Sequence, residues 1–134
     1  MARALLGQAP YMRASSPVLV IDDDRGTREA LGVALATHGY RAVLAEDGEE
    51  GLARLRSDLA PGLILLDIVM PRMDGRGFRS EQLRDPSLSA IPVVIMSAEL
   101  PINREAAALG VQGALQKPID LDDLMTLVAR YYRS

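Results

Sequence analysis

Cysteine is absent from this 134-residue chain, which excludes disulfides and thiolate-bound metals and is neutral to weakly favourable toward a reducing compartment. A surplus of positive charge is also missing. The formal net charge is −3 and the isoelectric point is near 5.1, so no nucleic-acid partner is expected. No stretch is long and apolar enough for a signal peptide or a membrane span, so no membrane partner is expected and a cytoplasmic location is the default. There is no internal repeat and no low-complexity tract. Histidine occurs once, as His38, beside Gly39 at the end of a helical pattern. It reads as a solvent-facing or capping residue, and with no acid or nucleophile predicted around it, it argues against a catalytic triad or a phosphotransfer histidine. Lysine also occurs once, as Lys117, every other basic side chain being arginine.

What is present is the profile of an ordinary globular domain, 49% hydrophobic and 25% charged. At this length one domain can bury roughly two-thirds of its unfolded surface. Residues 1–16, with Gly7, Pro10, Ser15 and Ser16, show weak periodicity and are expected to form a flexible amino-terminal arm without function. Residues 17–134 form the domain. Five apolar runs punctuate it: Val18–Ile21, Ala42–Ala45, Leu63–Leu66, Val93–Met96 and Gly113–Gln116. Continuous rather than alternating hydrophobicity is what strands covered on both faces of a parallel sheet require. Helical patterns alternate with them. Ala30, Leu31, Ala34 and Leu35 share one stripe, Leu52, Leu55 and Leu59 the next, Phe78 and Leu83 mark a third, and Ala106 and Leu109 a fourth. Leu121, Leu124, Leu127, Val128 and Tyr131 mark the last, capped by Asp120. The result is an α/β chain, (βα)5, predicted to form a doubly wound five-stranded parallel sheet.

Functional groups in such sheets gather beyond the carboxyl ends of the strands. There the chain places Asp22, Asp23 and Asp24 after the first run, Asp67 after the third, Ser97 after the fourth and Lys117 after the fifth. An acidic triplet alone is equally a solvated turn with a helix cap. Asp67 is different, because a carboxylate following four buried aliphatic residues loses hydration unless something compensates its charge. Carboxylates converging from two strand ends are best reconciled by a hard divalent cation, and Mg²⁺ also leaves positions open for phosphate oxygens. The pattern points to phosphoryl transfer, with Asp67 attacking phosphorus, Lys117 supplying a compact cation and Ser97 a hydroxyl donor.

The ordered set Val18-Leu19-Val20-Ile21-Asp22-Asp23-Asp24, Leu65-Leu66-Asp67-Ile68-Val69-Met70-Pro71, Met73-Asp74-Gly75, Ile95-Met96-Ser97-Ala98 and Lys117-Pro118 resembles the receiver domains of bacterial two-component response regulators. The resemblance implies a flavodoxin-like sheet of order 2-1-3-4-5. It implies that Asp67 takes a phosphoryl group from a histidine kinase or phosphotransfer protein, with Mg²⁺ held by Asp22, Asp23, Asp67 and the Val69 main-chain carbonyl. Ser97 resembles the hydroxyl residue that moves toward the phosphoryl group, and Lys117 the lysine that pairs with it. Such a chain is not a general enzyme and catalyses only its own phosphorylation and dephosphorylation. With nothing after Ser134, output is expected through a protein target that binds the phosphorylated form.

Two positions depart from the family pattern. Ala114 stands three residues before the lysine, where many receivers carry a Phe or Tyr that swings inward. Val69, two residues after Asp67, puts an apolar group where a polar one could steer water, so slow self-dephosphorylation is expected. Pro101 and the short stretch between Ser97 and Gly110 predict a short fourth helix. A rival resemblance, to the DxDxT opening of haloacid dehalogenase-type phosphatases, would make Asp22 the nucleophile and Asp24 the general acid; Arg25 breaks its spacing, and it leaves the Asp67 motif without a purpose.

Overall fold

The computed structural model describes residues 16–57, 59–99 and 101–133. Ten elements alternate without exception: β1 (Val18–Ile21), α1 (Arg25–Thr37), β2 (Ala42–Ala45), α2 (Gly48–Arg56), β3 (Leu63–Asp67), α3 (Gly75–Arg84), β4 (Val93–Ser97), α4 (Ile102–Leu109), β5 (Gly113–Gln116) and α5 (Leu121–Tyr131). The strands form one parallel sheet in the order β2-β1-β3-β4-β5, as expected. Of the predicted arm, Met1–Ser15 lies outside the described residues, and the carbonyl of Ser16 accepts a hydrogen bond from the Tyr132 hydroxyl.

The continuous apolar runs are explained by two separate cores. Leu19, Ile21, Ile64, Leu66, Val93 and Ile95 face α2, α3 and α4, joining Leu52, Leu55, Phe78 and Ile102. Val18, Val20, Leu63, Leu65, Val94 and Met96 face α1 and α5, joining Leu31, Leu35, Leu124 and Val128. The pleat still alternates, but both of its faces are dry.

Helix starts follow the aspartates. Asp24, Asp47, Asp74 and Asp120 each cap a helix by accepting from a backbone N–H three residues on, satisfying donors that the first turn leaves free. His38 closes α1, its Nδ1 lying 2.9 Å from the Ala34 carbonyl oxygen. Helix α4 has eight residues and ends on Gly110 in the left-handed region, so the expected shortness is found.

Several predicted stripe residues are displaced. Leu83 is half exposed, as is Leu121, and Ala30 faces solvent, while Leu59 lies beyond the end of α2. The reason at α3 is physical. Its inward face is Phe78, Arg79 and Gln82, all buried, because the loop that follows and the end of α4 turn carbonyl groups inward that need donors. Gln82 Nε2 donates to the carbonyls of Leu88 and Ile91 at 3.0 and 3.1 Å. Arg79 donates to the carbonyls of Leu109 and Gly110 and to Gln82 Oε1. A polar pair therefore occupies positions where an apolar stripe would leave backbone oxygens orphaned.

Replacing Gln82 by Leu should accordingly destabilise the fold by about 2–4 kcal/mol, since two inward carbonyls lose their donor. Leu83→Gln, one residue along, should change stability by less than about 0.5 kcal/mol. Urea denaturation of both variants measures the contrast.

Candidate functional site

The register of the sheet assembles the site. Ile21 pairs with Leu66, so Asp22 and Asp67 emerge side by side from the two central strands. Asp67 is opposite Met96, placing Ser97 one residue further out, and Ser97 is opposite Gln116, placing Lys117 one further again. Each step across the sheet spans about 4.8 Å and each step along a strand about 3.3 Å, so the four side chains share one small region of the edge. Asp67 and Ser97 are the last residues of β3 and β4 rather than the first residues beyond them. Both are therefore held by the ladder instead of by a loop.

Asp22 is fully buried, and Asp67 and Ser97 are nearly so, whereas Asp23 is exposed. Oxygen atoms of Asp22, Asp23 and Asp67 all lie within 4.8 Å of one another. Lys117 Nζ stands 2.8 Å from Asp22 Oδ2 and 3.4 Å from Asp67 Oδ2. Asp22 is fixed further by Asp24, whose N–H donates to its Oδ1, and by Arg28, whose guanidinium donates to its main-chain carbonyl. The Ser97 hydroxyl accepts from the Glu99 N–H at 3.0 Å.

The electrostatics are those of an under-compensated cluster. Burial first, and the Asp22 carboxylate second, push the Asp67 carboxyl up to about 7 against the pull of Lys117. Burial works against the Lys117 ammonium too, but its contact with Asp22 and the charge of Asp67 carry it above its ordinary value. One lysine faces three carboxylates. Asp22 Oδ2 is buried and has no well-angled hydrogen-bond donor, its neighbour Lys117 making an ion pair only. A buried carboxylate oxygen held by one lysine alone, within a ring of hard oxygen donors, suits a small divalent cation such as Mg²⁺.

Asp24 is turned away from this chemistry. Its Oδ2 accepts from the Thr27 N–H at 2.8 Å and from the Thr27 hydroxyl at 2.7 Å, so it is engaged as a cap and is not free to act as a general acid. Asp122 and Asp123 lie in the exposed first turn of α5. The phosphatase alternative loses its general acid. A cleft of about 630 Å³, lined by Leu55, Pro61, Leu88, Ile91 and Pro92 among others, opens at the amino ends of the strands, away from the acidic cluster.

The family model described as the response regulator receiver domain matches residues 18–129. The chain belongs to the response regulator receiver family. Receivers of this family bind Mg²⁺ at an acidic site and interact with histidine kinases or phosphotransfer proteins. The receiver is 37% identical over 110 residues to a protein named response regulator MprA from Mycolicibacterium vanbaalenii, covering 81% of this chain but 46% of that protein. The chain thus spans about half the length of the curated relatives it matches. It is also similar to a solved response regulator receiver protein from Pseudomonas putida, with 31% identity, a TM-score of 0.79, and coverage of 87% of this chain and 98% of the other. The chemotaxis response regulator CheY4 of Vibrio cholerae compares at 27% identity and a TM-score of 0.79, with the same coverages. Among the described residues, no helix is long and apolar enough to cross a membrane.

Sequence reasoning missed Arg28, which fixes the Asp22 carbonyl, and the Asp47–Arg72 pair described below. Arg28 sits four residues after Asp24, one helical turn into α1, and that spacing was the available signal.

A raised Asp67 pKa has a definite consequence for metal-free protein. The fold favours the protonated carboxyl, so this group's stabilisation is complete below the unfolded value near 4 and is lost as pH rises through about 7. In a chelating buffer, Asp67→Asn should therefore become increasingly more stable than wild type as pH is raised from 4 to 8, and thermal melts across that range should show the gap widening.

Proposed function

We propose that this receiver accepts a phosphoryl group on Asp67, in a Mg²⁺-dependent step, from a histidine kinase or histidine phosphotransfer protein, and signals in the cytoplasm by phosphorylation-dependent protein binding. The observation that carries the reading is the convergence of Asp22, Asp23 and Asp67 oxygens within 4.8 Å, with the chain's single lysine between two of them. Asp22, Asp23, Asp67 and the main-chain carbonyl of Val69 would hold Mg²⁺. When bound, the cation supplies positive charge to the transferring phosphoryl oxygens and to the crowded carboxylates. An ionised Asp67 oxygen forms the new bond to phosphorus as the bond to the donor imidazole nitrogen breaks, the imidazole keeping the electron pair. Lys117 then pairs with the phosphoryl oxygens, and the Ser97 hydroxyl exchanges its contact with the Glu99 amide for a hydrogen bond to one of them.

Ala114 gives β5 no aromatic group to follow Ser97. Partly buried opposite Ile95, it separates acceptance of the phosphoryl group from the way the phosphorylated state is read. Activation runs through the backbone after β4 rather than through a rotating ring, and Ala114→Tyr leaves phosphorylation of Asp67 intact.

The chemistry is tested by intact-mass measurement after exposure to acetyl phosphate and Mg²⁺. Wild type should gain one phosphoryl group, Asp67→Ala none and Asp22→Ala little; an adduct that survives loss of Asp67 overturns the reading. Val69, half exposed two residues past the acceptor, shields the phosphoryl group from water, so Val69→Asn should accelerate phosphate loss from Asp67. An unchanged or slower decay would dismiss that role.

A further inference from the structure

Residues 68–74, between the acceptor Asp67 and helix α3, are anchored less by their own strand than by the turn between β2 and α2. Gly75 closes the base of this loop, its N–H donating to the Ile68 carbonyl at 2.8 Å. Further out, the Gly48 N–H donates to the Met73 carbonyl at 3.2 Å, and a Cβ at Gly48 would stand 2.7 Å from that carbonyl oxygen. The turn and the loop touch backbone to backbone. The side chains complete the joint: Arg72 Nε donates to Asp47 Oδ2 at 2.6 Å, and its terminal nitrogen pairs with the same oxygen.

Both members of this pair are placed at a cost that capping and solvation do not explain. Asp47 caps α2 through Oδ1, which accepts from the Glu50 N–H; the cap leaves Oδ2 free. Yet the Asp47 side chain is only 7% exposed, so Oδ2 needs a donor from elsewhere. Arg72 holds a φ of 63°, a conformation that glycine adopts without strain and arginine does not. Glycine there would relieve the backbone and lose the guanidinium. The chain keeps the strained residue and its fork, and Glu46 adds a second carboxylate at 3.7 Å.

We infer that Asp47 and Arg72 are positioning residues for the acceptor loop: their ion pair fixes the backbone between Val69 and Asp74, and through it the affinity of the site for a divalent cation. The inference rests on the reading of the Val69 carbonyl and the three aspartates as the Mg²⁺ site. It makes the β2–α2 turn, which supplies no atom to the phosphoryl group, part of what sets the readiness of Asp67.

The test is a Mg²⁺ titration of the full chain, followed by amide chemical shifts, with thermal midpoints recorded alongside. Arg72→Ala and Arg72→Gly should both bind Mg²⁺ about tenfold more weakly than wild type, the range seen when groups that orient metal ligands are removed. Asp47→Asn should match them, and the double variant Asp47→Asn/Arg72→Ala should be no weaker than either single change. Arg72 is half exposed, so its variants keep the test open if Asp47→Asn fails to fold. Wild-type affinity in Arg72→Ala, or in Arg72→Gly, overturns the inference alone. A wild-type chain that binds no Mg²⁺ overturns the underlying reading as well.

Discussion

The alignment of β1 with β3, Ile21 against Leu66, is the constraint on which the site depends. In a parallel pair buried on both faces, a slip of one residue would exchange Leu19 and Ile21 with Val18 and Val20 between the two cores and carry Asp22 away from Asp67. The packing of eight aliphatic side chains, Val18–Ile21 and Leu63–Leu66, thus fixes the separation of two carboxylates. Because Asp67 and Ser97 terminate their strands inside the ladder, backbone hydrogen bonds rather than loop conformation set where the carboxylate and the hydroxyl stand. The hydrophobic cores enforce a charge repulsion that water alone would dissolve.

That enforced repulsion explains the single lysine. Lys117 Nζ touches Asp22 and approaches Asp67, and a compact ammonium can stand between two carboxylates where a planar guanidinium would demand its own bidentate geometry. Its one positive charge does not balance the three carboxylates gathered there. The raised Asp67 pKa is one expression of that residual imbalance.

The strands and the polar residues that gather at their ends were legible in the sequence because both follow from short-range pattern: four or five aliphatic residues, then a charged or hydroxyl group, repeated along the chain. Phe78 and Leu83 show where pattern reading stops. A stripe assumes that a buried face is apolar, whereas α3 buries Arg79 and Gln82 because carbonyls from the segment before β4 and from the end of α4 arrive there unpaired. Those carbonyls come from residues 6 to 31 positions away in sequence, beyond any helical period. Leu121 fails similarly, being the first residue after the Asp120 cap and lying before the helix turns its apolar face to the sheet. Asp24 caps α1 through Thr27, and a cap three residues ahead of a threonine is local information.

The same division separates the parts of the site. Asp22, Asp67, Ser97 and Lys117 are each announced by the strand before them, but the pair that joins Asp47 to Arg72 spans 25 positions and links two turns whose sequences, Glu-Asp-Gly and Pro-Arg-Met-Asp-Gly, read separately as helix starts. Only the fold brings them together. Two levels of specification follow: Asp22, Asp67, Ser97 and Lys117 stand at strand ends whose register the cores dictate, while the loop that carries Val69 meets a neighbouring turn through Asp47 and Arg72. If Asp47 and Arg72 position the loop as proposed, substitutions in that turn change how readily Asp67 is charged while Asp22, Asp67, Ser97 and Lys117 stay in place.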